Sequence, residues 1–155
     1  MQKILSAAII SIHSTGPSMG QPENNMTGSK ILVVEDHKDS CLWISAVLRQ
    51  SGYHPIEAGE GTLAVRMAFS ERPDLILLDM HLPCGGGEFV LESLRKQPSC
   101  AKIPVIIMSG DADLNEEALQ EQGAVAIFRK PVEVHAFLRA VKEWAGKEVP
   151  ELALA

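Results

Sequence analysis

The sequence predicts an α/β domain in which a five-stranded parallel sheet is covered by helices on both faces. Three observations carry that expectation. From Lys30 onward, short apolar runs alternate five times with segments of helical period. The first, third and fourth runs are apolar without a break, the pattern of strands buried on both faces. Each helical segment stops at a glycine or ahead of a proline.

The elements follow in order. Strands are predicted over residues 30–34, 54–58, 75–78, 105–108 and 124–128. The intervening helices are predicted over 38–50, ended by Gly52, 61–70, ended before Pro73, and 88–96, ended before Pro98. Two more run over 114–122, ended by Gly123, and 132–144, ended by Gly146. Glycine accepts the left-handed backbone just past a helix, and proline lacks the amide needed to continue one. Right-handed crossovers leave few topologies for five parallel strands. The flavodoxin-like order 2-1-3-4-5 is the expected one, with its ligand crevice where strands 1 and 3 part.

A chain of 155 residues, 46% of them hydrophobic, has room for one domain with a real core. The net charge of -6 and the lack of a basic stripe argue against a nucleic-acid partner, which requires clustered Lys and Arg. Cys41, Cys84 and Cys100 are too widely spaced for a zinc site and too few for a disulfide framework, so reduced thiols in a cytoplasmic protein are expected. Residues 1–29 are expected to be a leader, disordered or lying ahead of a true start at Met26. An alternative is a signal or anchor, because Lys3 and the apolar run 4–12 resemble a signal peptide, although that run is too short to span a bilayer and no membrane insertion is expected. The domain is expected over 30–145 and a short tail over 146–155, with no output domain following.

The polar groups gather at the carboxyl ends of the strands, the edge at which open parallel sheets bind ligands. Strand 1 leads into Glu35-Asp36, strand 3 into Asp79, strand 4 into Ser109 and strand 5 into Arg129-Lys130-Pro131. Three crowded carboxylates repel one another unless a cation neutralises them. Oxygen donors without a Cys or His set favour magnesium over zinc. Such a site suits transfer of a phosphoryl group onto Asp79, since a carboxylate is a competent nucleophile and the reaction needs chiefly positioning and charge neutralisation. Lys130 would neutralise one phosphoryl oxygen and Ser109 would donate a hydrogen bond to another.

The motifs Val33-Val34-Glu35-Asp36, Leu77-Leu78-Asp79-Met80-His81-Leu82-Pro83, Met108-Ser109-Gly110 and Arg129-Lys130-Pro131 together resemble the receiver domain of two-component response regulators, over about residues 30–145. The resemblance implies that Asp79 takes phosphate from a histidine kinase or histidine phosphotransfer protein. It implies magnesium held by Glu35, Asp36, Asp79 and the main-chain carbonyl of His81, and a cis Lys130–Pro131 bond that aims the lysine. It also implies Gly87 as the family's glycine in the loop after strand 3. One position departs from the pattern. Receivers carry Tyr or Phe three residues before the lysine as a rotameric switch, and Ile127 stands there. Phe128 cannot replace it, because neighbouring strand residues point to opposite faces.

Simpler roles stand beside these. Asp79 could cap the next loop, Asp36 or Asp39 could cap the first helix, and Ser109 before Gly110 could make a turn. His13, His37, His54 and His135 are expected at the surface without partners at ligand spacing, and Gly85-Gly86-Gly87 lacks the Lys-Ser/Thr of a nucleotide loop. Phosphorylation is expected to shift Ser109, Pro131 and the face formed by the fourth helix, fifth strand and fifth helix, where a separate protein target would read it. The alternatives are a non-phosphorylated receiver-like docking module, which Ile127 favours, and a flavin binder of the same fold, which Glu35-Asp36 disfavours by repelling a phosphate.

Overall fold

The computed structural model describes residues 28–145, so the expected leader up to residue 27, the tail 146–155 and His13 lie outside the described residues. Within them, β1 (Lys30–Val34), β2 (His54–Ala58), β3 (Leu75–Asp79), β4 (Val105–Ser109) and β5 (Ala124–Arg129) alternate with α1 (Lys38–Gln50), α2 (Gly61–Glu71), α3 (Gly87–Lys96), α4 (Glu116–Glu121) and α5 (Val134–Trp144). All strand pairs are parallel and the sheet order is β2-β1-β3-β4-β5, as the sequence predicts.

Strand alternation divides the core in two. Leu32, Val34, Ile76, Leu78 and Ile107 face α2, α3 and α4, meeting Ala64, Ala68, Val90, Leu91, Leu94 and Leu119. Ile31, Val33, Leu75, Leu77, Ile106 and Met108 face α1 and α5, meeting Ile44, Leu48, Phe137 and Val141. Full burial of each such side chain contributes about 1.5–3 kcal/mol. This double cover explains why β1, β3 and β4 read as unbroken apolar runs.

The expected helix stops hold. Gly52 and Gly123 adopt positive φ (87° and 95°), and Arg72 takes the left-handed C-cap ahead of Pro73. The starts of the last two helices differ from expectation. α4 begins at Glu116, not 114, because the Asn115 side chain accepts the Ala118 amide. α5 begins at Val134, not 132, because Glu133 accepts the amides of His135 and Ala136. A side-chain cap satisfies an orphan amide and so decides where a helix starts. At α1 the N-cap position is His37, which forms no side-chain cap, so neither Asp36 nor Asp39 serves there. β3, β4 and β5 each run one residue beyond expectation, carrying Asp79 and Ser109 on the strands themselves.

One polar tie holds the sheet's far edge. The Arg95 guanidinium, on α3, donates to the carbonyls of Ala101, Ile103, Gln122 and Gly123 at 2.9–3.2 Å, joining the loops that enter β4 and β5. Cys41 and Cys100 are buried and Cys84 is exposed, all as free thiols. No helix among the described residues is long and apolar enough to cross a membrane.

Candidate functional site

The carboxyl ends of β1, β3, β4 and β5 meet at one edge of the sheet. Glu35 follows β1 and its side chain is fully buried (0% exposed), while Asp79 closes β3 with its side chain 7% exposed. Two buried carboxylates need compensation. Lys130, just past β5, supplies it: its Nζ donates to Glu35 Oε2 at 2.6 Å and to Asp79 Oδ2 at 2.8 Å. The second oxygen of each acid is held by a main-chain amide, Asp79 Oδ1 by that of His81 at 3.0 Å and Glu35 Oε1 by that of His37 at 3.1 Å. These amide contacts are not evident in the motifs, although an acid accepting the amide two residues on is a common local turn.

Burial raises the Glu35 carboxyl above the ordinary glutamate range; the bonds from Lys130 and the His37 amide oppose that rise, and the nearby Asp79 charge adds to it. For Lys130, burial alone would lower the ammonium, but its bonds to Asp79 and Glu35 outweigh burial and leave it above the ordinary lysine range. The Lys130–Pro131 bond is cis.

Ser109 is buried at the end of β4, where its Oγ accepts the Asp111 amide at 3.1 Å, so the hydroxyl proton is free to donate elsewhere. Open space lies beside Gly110, as its small size implies. Gly87 is required by close approach, since a Cβ there would lie 2.7 Å from Met80 Cα and 2.8 Å from the Asp79 carbonyl oxygen. The His81 side chain is exposed while its amide faces Asp79. Ile127 packs into the core facing α2–α4, and Phe128 packs into the opposite core, edge-on to Phe137 at 6.1 Å.

Asp36 stands more open than Glu35 and Asp79, with its side chain 33% exposed and Oδ1 3.4 Å from His37 Nδ1. Glu35, Asp36 and His37 offer ligand atoms within 4.8 Å of one another, a grouping that does not include Asp79. His37 thus stands at ligand spacing from two acids, against expectation, whereas His135 meets a single acid. His37 contacts Asp36, and His135 Nδ1 lies 3.1 Å from Glu133 Oε1, because helix starts bring adjacent side chains together. Both remain exposed, as does His54. Lys130 is the positive charge that Glu35 shares with Asp79, and the carboxylate oxygens of Glu35 and Asp36 stand within 4.8 Å of each other beside it.

The chain matches the family model for the response regulator receiver domain over residues 31–142. It is 30% identical over 119 residues to sporulation initiation phosphotransferase F of Bacillus subtilis, covering 77% of this chain and 95% of that protein. It is 32% identical over 117 residues to the polar-differentiation response regulator DivK of Brucella anthropi, covering 75% and 95%. Among solved structures it is similar to the receiver domain of a sensor histidine kinase from Pseudomonas aeruginosa, a structure with magnesium coordinated in its active-site cleft. That likeness has a TM-score of 0.71 and 30% identity, and covers 77% of this chain and 99% of the other. The shared fold, the ordered motifs and the family match agree: this chain belongs to the response regulator receiver domains of two-component signalling.

Proposed function

We propose that Asp79 is the phosphoacceptor of this receiver and takes its phosphoryl group from a histidine kinase or histidine phosphotransfer protein. The observation that carries this reading is the Lys130 ammonium bonded at once to Asp79 and to the buried Glu35. In the reaction a carboxylate oxygen of Asp79 attacks phosphorus, a P–O bond forms, and the P–N bond to the donor imidazole breaks. The imidazole leaves and takes up a proton.

Glu35, Asp36, Asp79 and the His81 main-chain carbonyl would hold magnesium, in keeping with the oxygen donors gathered at this sheet edge. Bound there, the ion would neutralise carboxylate charge and draw in a phosphoryl oxygen. The chain's own groups do the rest. The His81 amide fixes the rotamer of Asp79. Lys130 would release one carboxylate contact to meet a phosphoryl oxygen, and the Ser109 hydroxyl would donate to another. A phosphoryl group adds about -1.5 to -2 charges at neutral pH, enough to pull both groups inward.

The output would leave through α4, β5 and α5 to a separate protein, with Pro131 and Ser109 in the moving loops and Ile127 in place of an aromatic switch. A cytoplasmic setting suits free thiols and a phosphohistidine donor. As a signalling domain the chain would undergo phosphorylation once per signal, with slow autodephosphorylation.

The test is the intact mass of wild type and Asp79→Asn after acetyl phosphate and magnesium. One phosphoryl group on wild type and none on the variant is expected. An unlabelled wild type with every small donor and with a phosphohistidine protein would overturn the reading in favour of a docking module.

A further inference from the structure

We infer that Arg129 couples the phosphoacceptor pocket to the first turn of α4, in place of the aromatic residue that Ile127 does not supply. This rests on the phosphoacceptor reading above and concerns how that site is regulated.

Four contacts form an unbroken path. Ser109 is the strand partner of Arg129, and its carbonyl accepts the Lys130 amide at 2.8 Å, so the ends of β4 and β5 move as a unit. The Ser109 hydroxyl oxygen accepts the Asp111 amide at 3.1 Å. The Asp111 carbonyl accepts a hydrogen bond from Arg129 Nη1. The same guanidinium reaches Glu116, with Nε 3.0 Å and Nη2 2.8 Å from Oε1. A planar fork of five donors can grip a loop carbonyl and a helix carboxylate at once, which a lysine could not do.

The two ends of α4 are anchored differently. With six residues it is too short to hold its place by its own hydrogen bonds, so tertiary contacts position it. Its carboxyl end is held by Arg95, a half-buried side chain that donates to Gln122 and Gly123 and to two further carbonyls in the β4 entry loop. Its amino end is held by Arg129, whose side chain is 44% exposed. An exposed ion pair is weak and readily rearranged. This one also carries the carbonyl of Asp111, the residue whose amide rests on Ser109. When the Ser109 hydroxyl turns to a phosphoryl oxygen, the Asp111 main chain follows, Arg129 follows the Asp111 carbonyl, and α4 swings at its Glu116 end about the end fixed by Arg95. The aromatic route is closed because Ile127 and Phe128 each pack into a core.

The test uses amide NMR spectra of the full chain with and without beryllofluoride and magnesium, a stable mimic of the acyl phosphate. In wild type, loading should displace the amides of Met80, His81 and residues 109–111, and also those of α4. In Arg129→Gln and in Glu116→Gln the first set should still move, while the α4 displacements fall at least threefold. Glu116→Gln is a mild surface change, so it keeps the inference testable should Arg129→Gln fold poorly. Because the readout is the difference between loaded and free protein, a merely structural role for Arg129 would not alter it. Wild-type-sized α4 displacements in either loaded variant, or α4 amides that stay in place in loaded wild type, overturn the coupling alone. Failure of wild type to load at Met80 and His81 overturns the phosphoacceptor reading and the coupling with it.

Discussion

Lys130 Nζ stands 2.6 Å from Glu35 Oε2, joining residues 95 positions apart in the chain, and the same nitrogen holds Asp79. Glu35 is fully buried, so this ammonium is the counter-charge that permits it to ionise. Removing it should leave Glu35 to take up a proton, which limits the penalty. Lys130→Met is expected to lower stability by about 1–3 kcal/mol in EDTA, a discounted figure because the lysine is 29% exposed. Magnesium should shrink the deficit by supplying another positive charge. Paired urea titrations check this, and equal deficits with and without magnesium would count against an ion bound beside Glu35 and Asp79.

Phe128 stacks edge-on against Phe137 in the core beneath α1 and α5, and is not placed at the site edge. Phe128→Ala should cost about 2–4 kcal/mol by loss of packing while leaving the extent of acetyl phosphate labelling unchanged. Chemical denaturation and intact mass give the two numbers. Loss of labelling in the folded variant would assign Phe128 to the site.

Arg95 satisfies four main-chain carbonyls from a partly buried position, and burial lowers its basicity without making it neutral. Arg95→Met keeps much of the volume but strands those carbonyls. A loss of about 2–4 kcal/mol is expected by urea denaturation, with faster amide exchange at residues 122–124. A variant as stable as wild type would show that water replaces the guanidinium without penalty.

Glu133 caps α5, and its bonds from the amides of Ala136 and His135 hold its carboxyl below the ordinary glutamate range. A folded-state value below the unfolded one means that the carboxylate's contribution is complete above the unfolded value and is lost as pH falls through the folded one. Glu133→Gln should therefore melt below wild type near neutrality, and the gap should close below about pH 4. Thermal midpoints of both proteins across this range measure it; a gap that stays constant with pH would mean that the cap works without its charge.

The elements and most of their ends were legible because they follow from local rules: unbroken apolar runs for strands covered twice, and glycine or proline at helix ends. The sheet order was legible because right-handed crossovers leave few topologies for five parallel strands. Pattern alone misjudged the starts of α4 and α5, because Asn115 and Glu133 turn their side chains back onto amides that hydrophobic periodicity does not register. The motifs pointed to Glu35, Asp36, Asp79, Ser109 and Lys130, since each stands at or just past the carboxyl end of a strand, the edge where a parallel sheet gathers its polar groups.

By itself the sequence determined the order of the strands, the edge at which polar groups collect, and the departure at Ile127, all properties of residue type and spacing. The tertiary structure alone decided which atoms meet. It put one ammonium on two buried carboxylates, left Asp36 beside His37, and set Arg129 between a loop carbonyl and the start of α4. The physical reason is that side-chain pairing depends on burial, rotamer and the meeting of distant strand ends, none of which is encoded in the local period of the chain.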